Sequence, residues 1–238
     1  MGYVDVHIHI LPCMDDGAQN METTLEMLRI AQSEGITHMI VTPHYRSGRY
    51  RADAERLREN LHKVKKLIKE NSIFIKLYSG NEIYYRSELE DKLQNGELCT
   101  MNNTEYLLVE FSPMESFSYI RNAMDELFGM GYIPILAHVE RYQCMVKNID
   151  NVKEMKNMGC NVQVNASSVT GKNGFACKRF VHKILKQGLV DYIGTDAHNT
   201  SERKPAMRKC AKLLYKKYDD FYVDALLFGN AMERLIEI

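Results

Sequence analysis

Seven short runs rich in β-branched, aromatic and other apolar residues recur along the chain, at 3–8, 36–42, 73–79, 106–111, 132–137, 160–164 and 190–194. Runs this short, bounded by turn residues, read as strands rather than helices. Between them the period changes. Leu57, Leu61, Val64 and Ile68 fall at i, i+4, i+7 and i+11, the apolar stripe of an amphipathic helix. Segments 21–34, 118–130 and 175–187 behave similarly, and Gly35, Gly131 and Gly188 stand where helix C-caps belong. Strand–helix alternation predicts an α/β protein with a parallel sheet and helices outside it. Seven such units close into a barrel, an open doubly wound sheet being the alternative. No Pro/Ser-rich linker, charge block, low-complexity tract or further repeat divides the chain, so 1–238 reads as a single domain. Val223, Leu226, Leu227 and Leu235 in the carboxyl-terminal stretch are expected to pack against the barrel.

Composition removes some functions. Hydrophobic residues make up 45% and charged residues 26% of the 238, an ordinary globular balance that argues against disorder. Lys+Arg and Asp+Glu both number 31, so no net field draws in a polyanion and nucleic acid is not an expected partner. Met1-Gly2-Tyr3-Val4-Asp5 lacks a basic and then apolar leader, and no run of about 18 apolar residues occurs anywhere. A cytoplasmic protein without direct membrane insertion is expected. Six cysteines (Cys13, Cys99, Cys144, Cys160, Cys177, Cys210) form no CxxC pair, which argues against a zinc ribbon or disulfide framework; they read as reduced, buried thiols.

The polar residues change the picture. Asp5, His7 and His9 lie on or just after the first strand, His44 after the second, Glu82 after the third and Glu110 at the end of the fourth. His138 follows the fifth, Asn165 the sixth, and Asp196 with His198 the seventh. Every strand thus delivers a His, carboxylate or amide at its carboxyl end, the face on which barrel enzymes assemble their sites. Alternate residues of Asp5-Val6-His7-Ile8-His9 share one strand face, so both imidazoles can point at one ion. His38, His62 and His182 read as structural. Asp16, Glu82, Glu110 and Asp196 buried together would be costly without cations, and nine candidate ligands exceed one ion's needs, so two or three ions with bridging carboxylates fit. Nitrogen and oxygen donors without thiolates suit Mn, Fe or Zn. Arg141 and Arg203 offer guanidinium forks that match phosphate.

These residues resemble the PHP (polymerase and histidinol phosphatase) superfamily, and within it the bacterial manganese-dependent protein-tyrosine phosphatases of capsular and exopolysaccharide loci. The motifs are Asp5-Val6-His7-Ile8-His9-Ile10-Leu11-Pro12 running into Asp15-Asp16-Gly17, Val41-Thr42-Pro43-His44, Gly80-Asn81-Glu82-Ile83, Leu108-Val109-Glu110-Phe111, Ala137-His138-Val139-Glu140-Arg141-Tyr142, Gln163-Val164-Asn165-Ala166-Ser167-Ser168 and Gly194-Thr195-Asp196-Ala197-His198-Asn199. The resemblance covers essentially the whole chain and implies a distorted (β/α)7 barrel of the PHP type. It further implies a trinuclear site, manganese by preference, held by His7, His9, Asp16, His44, Glu82, Glu110, His138, Asp196 and His198, with Arg141 and Arg203 binding phosphate. The implied partner is a phosphotyrosine protein, an autophosphorylating kinase that controls polysaccharide synthesis. Three positions depart from the pattern, none a ligand: Cys13 where Gly is common, Tyr45 where a second His often stands, and Val139 where Pro is usual.

No cysteine is followed six positions later by Arg, so the Cys-x5-Arg phosphate loop of other tyrosine phosphatases is absent. In-line attack on phosphorus by a hydroxide activated by the ions is expected instead. Rival readings are a histidinol phosphatase acting on a small phosphomonoester, a nuclease or polymerase-associated domain, and a non-catalytic metal-binding regulator.

Overall fold

The computed structural model describes residues 2–86 and 88–237. In chain order its elements are β1 (Tyr3–Ile8), α1 (Met21–Ser33), β2 (Ile36–Val41), β3 (His44–Arg46), β4 (Tyr50–Arg51), α2 (Ala54–Glu70), β5 (Lys76–Ser79), β6 (Glu82–Tyr84), α3 (Leu89–Gln94) and β7 (Tyr106–Glu110). There follow α4 (Phe117–Gly129), β8 (Ile133–Leu136), α5 (Gln143–Lys147), α6 (Ile149–Asn157), β9 (Asn161–Asn165), α7 (Ala166–Thr170), α8 (Phe175–Lys186), β10 (Tyr192–Gly194), α9 (Arg208–Lys217) and α10 (Asp220–Asp224). Each of the seven expected runs contains a strand. The glycines at 35, 131 and 188 take φ of 90°, 86° and 65°, the left-handed conformation that ends α1, α4 and α8.

One uninterrupted parallel sheet is not what forms. β1, β2 and β5 make a three-stranded parallel sheet, and a second sheet runs β10-β9-β8-β7-β6-β3-β4, parallel except for the β3–β4 hairpin. The division falls between β2 and β3 and between β5 and β6. Pro43 has no N–H to continue the ladder, so after Thr42 N–H reaches the Ile8 carbonyl the chain leaves its first partners, and the Pro43 carbonyl instead accepts from Glu82 N. The Gly80-Asn81 step shifts β6 in the same way, with Asn81 Nδ2 donating to the carbonyls of Pro43 and Ala52. At the other edge the run after β10 returns to β1 through an Ile8–Ala197 bridge, so the sheets curl around a common interior.

Alternation divides the core. Leu107, Val109, Val162, Val164 and Ile193 pack outward beneath the helices, in one cluster with Leu28 of α1, Leu57 of α2 and Ile184 of α8. Val4, Val6, Ile40, Leu108, Ile135 and Tyr192 form a second cluster, which Ala231, Met232 and Leu235 complete. The carboxyl-terminal stretch therefore packs against the sheets as expected, in two π-helical turns, Ala225–Gly229 and Met232–Ile236. Asn102 Nδ2 donates to the Leu235 carbonyl at 2.9 Å and Asn230 Nδ2 to the Asp191 carbonyl at 2.9 Å, fastening the segment. Among the described residues no helix is long and apolar enough to cross a membrane.

Candidate active site

The carboxyl ends of the strands carry the candidate ligands. On β1 the register slips: Asp5 lies opposite Met39 and Ile8 opposite Val41, so three steps along β1 match two along β2. Such a bulge re-aims side chains. Asp5 is thereby kept out of the histidine cluster; its carboxylate accepts from Thr195 N (2.9 Å), Thr195 Oγ1 (2.5 Å) and His7 N (3.2 Å). His7 and His9 converge, their Nε2 atoms 3.1 Å apart. On β10, a Cβ at Gly194 would fall 2.6 Å from the His7 Cβ, so only glycine lets the strand lie this close. His138 and Asp196, the residues that follow β8 and β10 into the site, hold left-handed φ of 32° and 53°. Non-glycine residues reach that region at a cost, and strain of this kind collects at functional sites.

Glu82 stands at the centre. Its carboxylate lies 3.0 Å from His7 Nε2, 3.2 Å from His9 Nε2, 3.0 Å from His44 Nδ1 and 2.7 Å from His138 Nε2. Asp196 Oδ1 is 3.7 Å from His7, 3.5 Å from His9 and 3.5 Å from His198. Glu110 sits 3.2 Å from His44 Nδ1 and 3.8 Å from His138 Nε2. Asp16, at the exposed rim, is 3.6 Å from the Nε2 atoms of both His44 and His198. The nine residues thus come together. His38 and His182 lie apart, bonded to Thr37 and Tyr218, and His62 sits among the lysines of α2.

The donor set suits cations. His7 Nδ1 faces Gln163 Oε1 at 3.2 Å, His9 Nδ1 faces Asp15 Oδ2 at 2.7 Å and His198 Nδ1 faces the Asp196 carbonyl at 3.0 Å. An imidazole that donates through Nδ1 presents its Nε2 lone pair, so three such lone pairs enter one space. Glu82 Oε2 and His198 Nε2, both buried, make no hydrogen bond. Buried acceptors crowded without donors call for positive charge. Ligand atoms of His9/His44/His198, of His7/His9/Glu82 and of His44/Glu82/Glu110 lie within 4.8 Å of one another in each set. A ring nitrogen serves one ion and a carboxylate can serve two, so Glu82, which belongs to two of these sets, is the residue that would be shared if two ions were held.

The same carboxylates favour cationic charge on three of the rings, so a proton and a metal ion compete for their Nε2 or Nδ1 atoms. Burial works against charge on His9, yet Asp15 and Glu82 overcome it and push the imidazolium up to about 10. His7 is raised against burial by Glu82 and Asp196, and His44 chiefly by Glu82. Burial opposes the anionic forms of Glu82 and Asp196, but His7 and His44 around the first, and His7 with Arg141 around the second, hold both below the usual carboxylate range. Burial and the neighbouring His9 depress His198 to about 2, which leaves it a neutral base.

Two positioning residues escape a reading of strand ends. Gln163, fully buried on β9, accepts from His138 N at 2.7 Å as well as facing His7, and its Nε2 donates to Asn165 Oδ1 at 2.9 Å. Asp15 accepts from His44 N at 2.8 Å while orienting His9. The available signals were a glutamine inside an apolar strand and the doubled Asp15-Asp16, whose first member supports and whose second faces the rim. The cysteines differ from expectation at three places: Cys144 and Cys177 are only half-buried, and Cys13 is exposed, with φ of 57°, a conformation glycine takes freely.

Arg141 ends a 3-10 turn (Val139–Arg141) and donates to Asp196 Oδ2 at 2.5 Å; Arg203 donates to Oδ1 at 2.7 Å. Asn165 Nδ2 adds a bond to Oδ2 at 2.8 Å. Both guanidinium groups border a cleft of ≈ 660 Å³ beside the cluster.

Asp5 makes a stability prediction. Burial pushes its carboxyl from the ordinary 3.8 up to about 6, against the Thr195 and His7 bonds. A folded-state value above the unfolded one favours folding below the unfolded value, and that advantage is lost as pH rises through about 6. Asp5→Asn keeps Oδ1 for the two backbone donors and can donate to Thr195 Oγ1. In chelator-treated protein, wild type should lose about 3 kcal/mol relative to the variant across this interval. Tm of both proteins against pH measures it, and parallel profiles would refute it.

Over residues 3–236 the chain matches the family described as capsular polysaccharide synthesis, CpsB/CapC. It is 31% identical over 239 residues to the tyrosine-protein phosphatase CpsB of Streptococcus pneumoniae, covering 98% of both chains. It is 36% identical over 206 residues to the putative tyrosine-protein phosphatase CapC of Staphylococcus aureus, covering 87% of this chain and 80% of that protein. A crystal structure from work on Bacillus subtilis YwqE and S. pneumoniae CpsB, described as unique metal-dependent tyrosine phosphatases, superposes with a TM-score of 0.91 at 29% identity, covering 98% of this chain and 94% of that one. The Escherichia coli phosphotriesterase homology protein shares the fold at a TM-score of 0.62, 13% identity and 98% coverage of both chains.

Proposed function

Because the chain belongs to the CpsB/CapC family of capsular polysaccharide synthesis, whose named members here are tyrosine-protein phosphatases, we propose that it hydrolyses phosphotyrosine on protein in a metal-dependent reaction. The observation that carries this reading is the junction at Asp196, where two arginine forks meet the edge of the imidazole–carboxylate cluster. The finer assignments belong to the same reading. His7, His9, Asp16, His44, Glu82, Glu110, His138, Asp196 and His198 hold two or three ions, manganese first, with iron or zinc acceptable to the same donors. The two sheets make one distorted seven-membered barrel if β2 with β3 and β5 with β6 count as single broken strands, and 1–238 is one domain. The substrate is an autophosphorylating tyrosine kinase of the capsule machinery, met in the cytoplasm.

Ions held by these residues would supply a water of lowered pKa and neutralise phosphate charge. The chain's own residues do the rest. Arg141 and Arg203 take the non-reacting phosphate oxygens and hold phosphorus against the cluster, and Asn165 keeps Asp196 fixed between them. The departing phenolate has a pKa of about 10 and needs little protonation.

The test is steady-state hydrolysis of a phosphotyrosine peptide and of histidinol phosphate by chelator-treated protein, with and without Mn²⁺. Mn²⁺-dependent turnover that favours the peptide is expected. Equal turnover in chelator, or preference for histidinol phosphate, would overturn the assignment.

A further inference from the structure

Overall neutrality hides a segregation of charge. Twelve of the 31 basic residues fall within 171–217, against three of the 31 acidic ones, Asp191, Asp196 and Glu202. Asp191 and Asp196 are buried, so Glu202 is the one exposed acid of that stretch. The basic sector borders the catalytic cleft. Beyond Arg141 and Arg203, the charged residues lining the cleft are Lys172 after α7, Lys204 in the loop before α9 and Lys209 on α9, all exposed, against two acids, Asp196 and Glu202. Lys172 reaches across to the Glu202 carbonyl and lies 3.7 Å from its carboxylate. Lys204 and Lys209 make no ion pair among the described residues.

A phosphate ester is satisfied by the two guanidinium forks and the cluster behind them. Three further ammonium groups find nothing to meet in a lone phosphotyrosine side chain, and a cleft of ≈ 660 Å³ has room for the residues on either side of it. Like charges lining one concave wall repel each other unless a partner brings the opposite sign, and such a field also gathers anionic ligands from solution. We propose that Lys172, Lys204 and Lys209 form a subsite for carboxylate side chains flanking the phosphotyrosine, so that acidic phosphopeptide segments are the preferred substrates. The proposal rests on the phosphatase reading above. Lys172 exchanges its Glu202 contact for a substrate carboxylate, while Lys204 and Lys209 meet acids one or more residues away.

The experiment compares two phosphotyrosine peptides that differ only in Glu→Gln changes around the phosphotyrosine, using the Mn²⁺-loaded protein at low and high salt. In wild type the acidic peptide should have kcat/KM about tenfold higher at low ionic strength, the margin narrowing with added NaCl. In the Lys172→Gln/Lys204→Gln/Lys209→Gln variant the ratio should fall to within about twofold of unity. A Lys183→Gln/Lys186→Gln variant, on the outer face of α8 away from the cleft, should keep the wild-type ratio. Equal turnover of both peptides by wild type, or an undiminished ratio in the triple variant, overturns the subsite and leaves the phosphatase reading intact. Turnover of neither peptide overturns both. Loss of binding to anionic lipid vesicles in the triple variant with no change in peptide preference assigns the lysines to a membrane surface and overturns the subsite.

Discussion

Glu82→Gln should lower metal-dependent phosphotyrosine hydrolysis by about 10³-fold and reduce the number of ions bound per chain. The carboxylate touches four imidazoles within 3.2 Å, and both of its oxygens face the cluster. The amide is nearly the same size, so packing survives. It has lost the negative charge with which one group would neutralise two cations, and one of its two oxygens has become an N–H donor aimed at the surrounding ring nitrogens. A carboxylate shared by two ions would, once lost, lower the occupancy of both. Metal content by mass spectrometry after dialysis, beside kcat/KM and a circular dichroism spectrum, separates this outcome from misfolding. A folded variant that keeps its full metal complement and turns over within tenfold of wild type would remove Glu82 from the centre of the site.

The legibility of this site in the sequence has a physical cause. Side chains near the carboxyl end of each strand share one rim of the curled sheets, so polar residues there converge wherever the strands fall in order, and knowing strand ends suffices to gather His44, Glu82, Glu110 and His138. Positions set by departures from regularity were not visible. The β1 bulge removes Asp5 from the cluster although strict alternation groups it with His7 and His9. Pro43 and the Gly80-Asn81 step break two strands, because a missing N–H and a glycine matter only once it is known which ladder they interrupt. Gln163 looks like a strand residue until the ring nitrogens beside it are located. Counting charge over the whole chain hides the basic sector for a simpler reason: acids elsewhere in the sequence cancel it in the sum, while 171–217 alone holds twelve basic residues and three acids.

Arg141→Ala and Arg203→Ala should each lower kcat/KM for a phosphotyrosine peptide by about 10²-fold, and neither lysine substitution should recover more than about a tenth of that loss. The two forks approach Asp196 from opposite oxygens, Arg141 at Oδ2 and Arg203 at Oδ1, so they frame the place where a phosphate would sit against the cluster. A guanidinium holds two oxygens in one plane; an ammonium supplies charge without that geometry. Each arginine also balances the Asp196 carboxylate, so the rate alone could reflect damage to a ligand rather than loss of phosphate binding. Inorganic phosphate as a competitive inhibitor separates the two. If the arginines bind phosphate, its inhibition constant rises roughly in step with the fall in kcat/KM while the metal content stays at the wild-type level. If they serve only Asp196, metal content falls and phosphate inhibits the remaining activity as strongly as in wild type, and the phosphate role is lost.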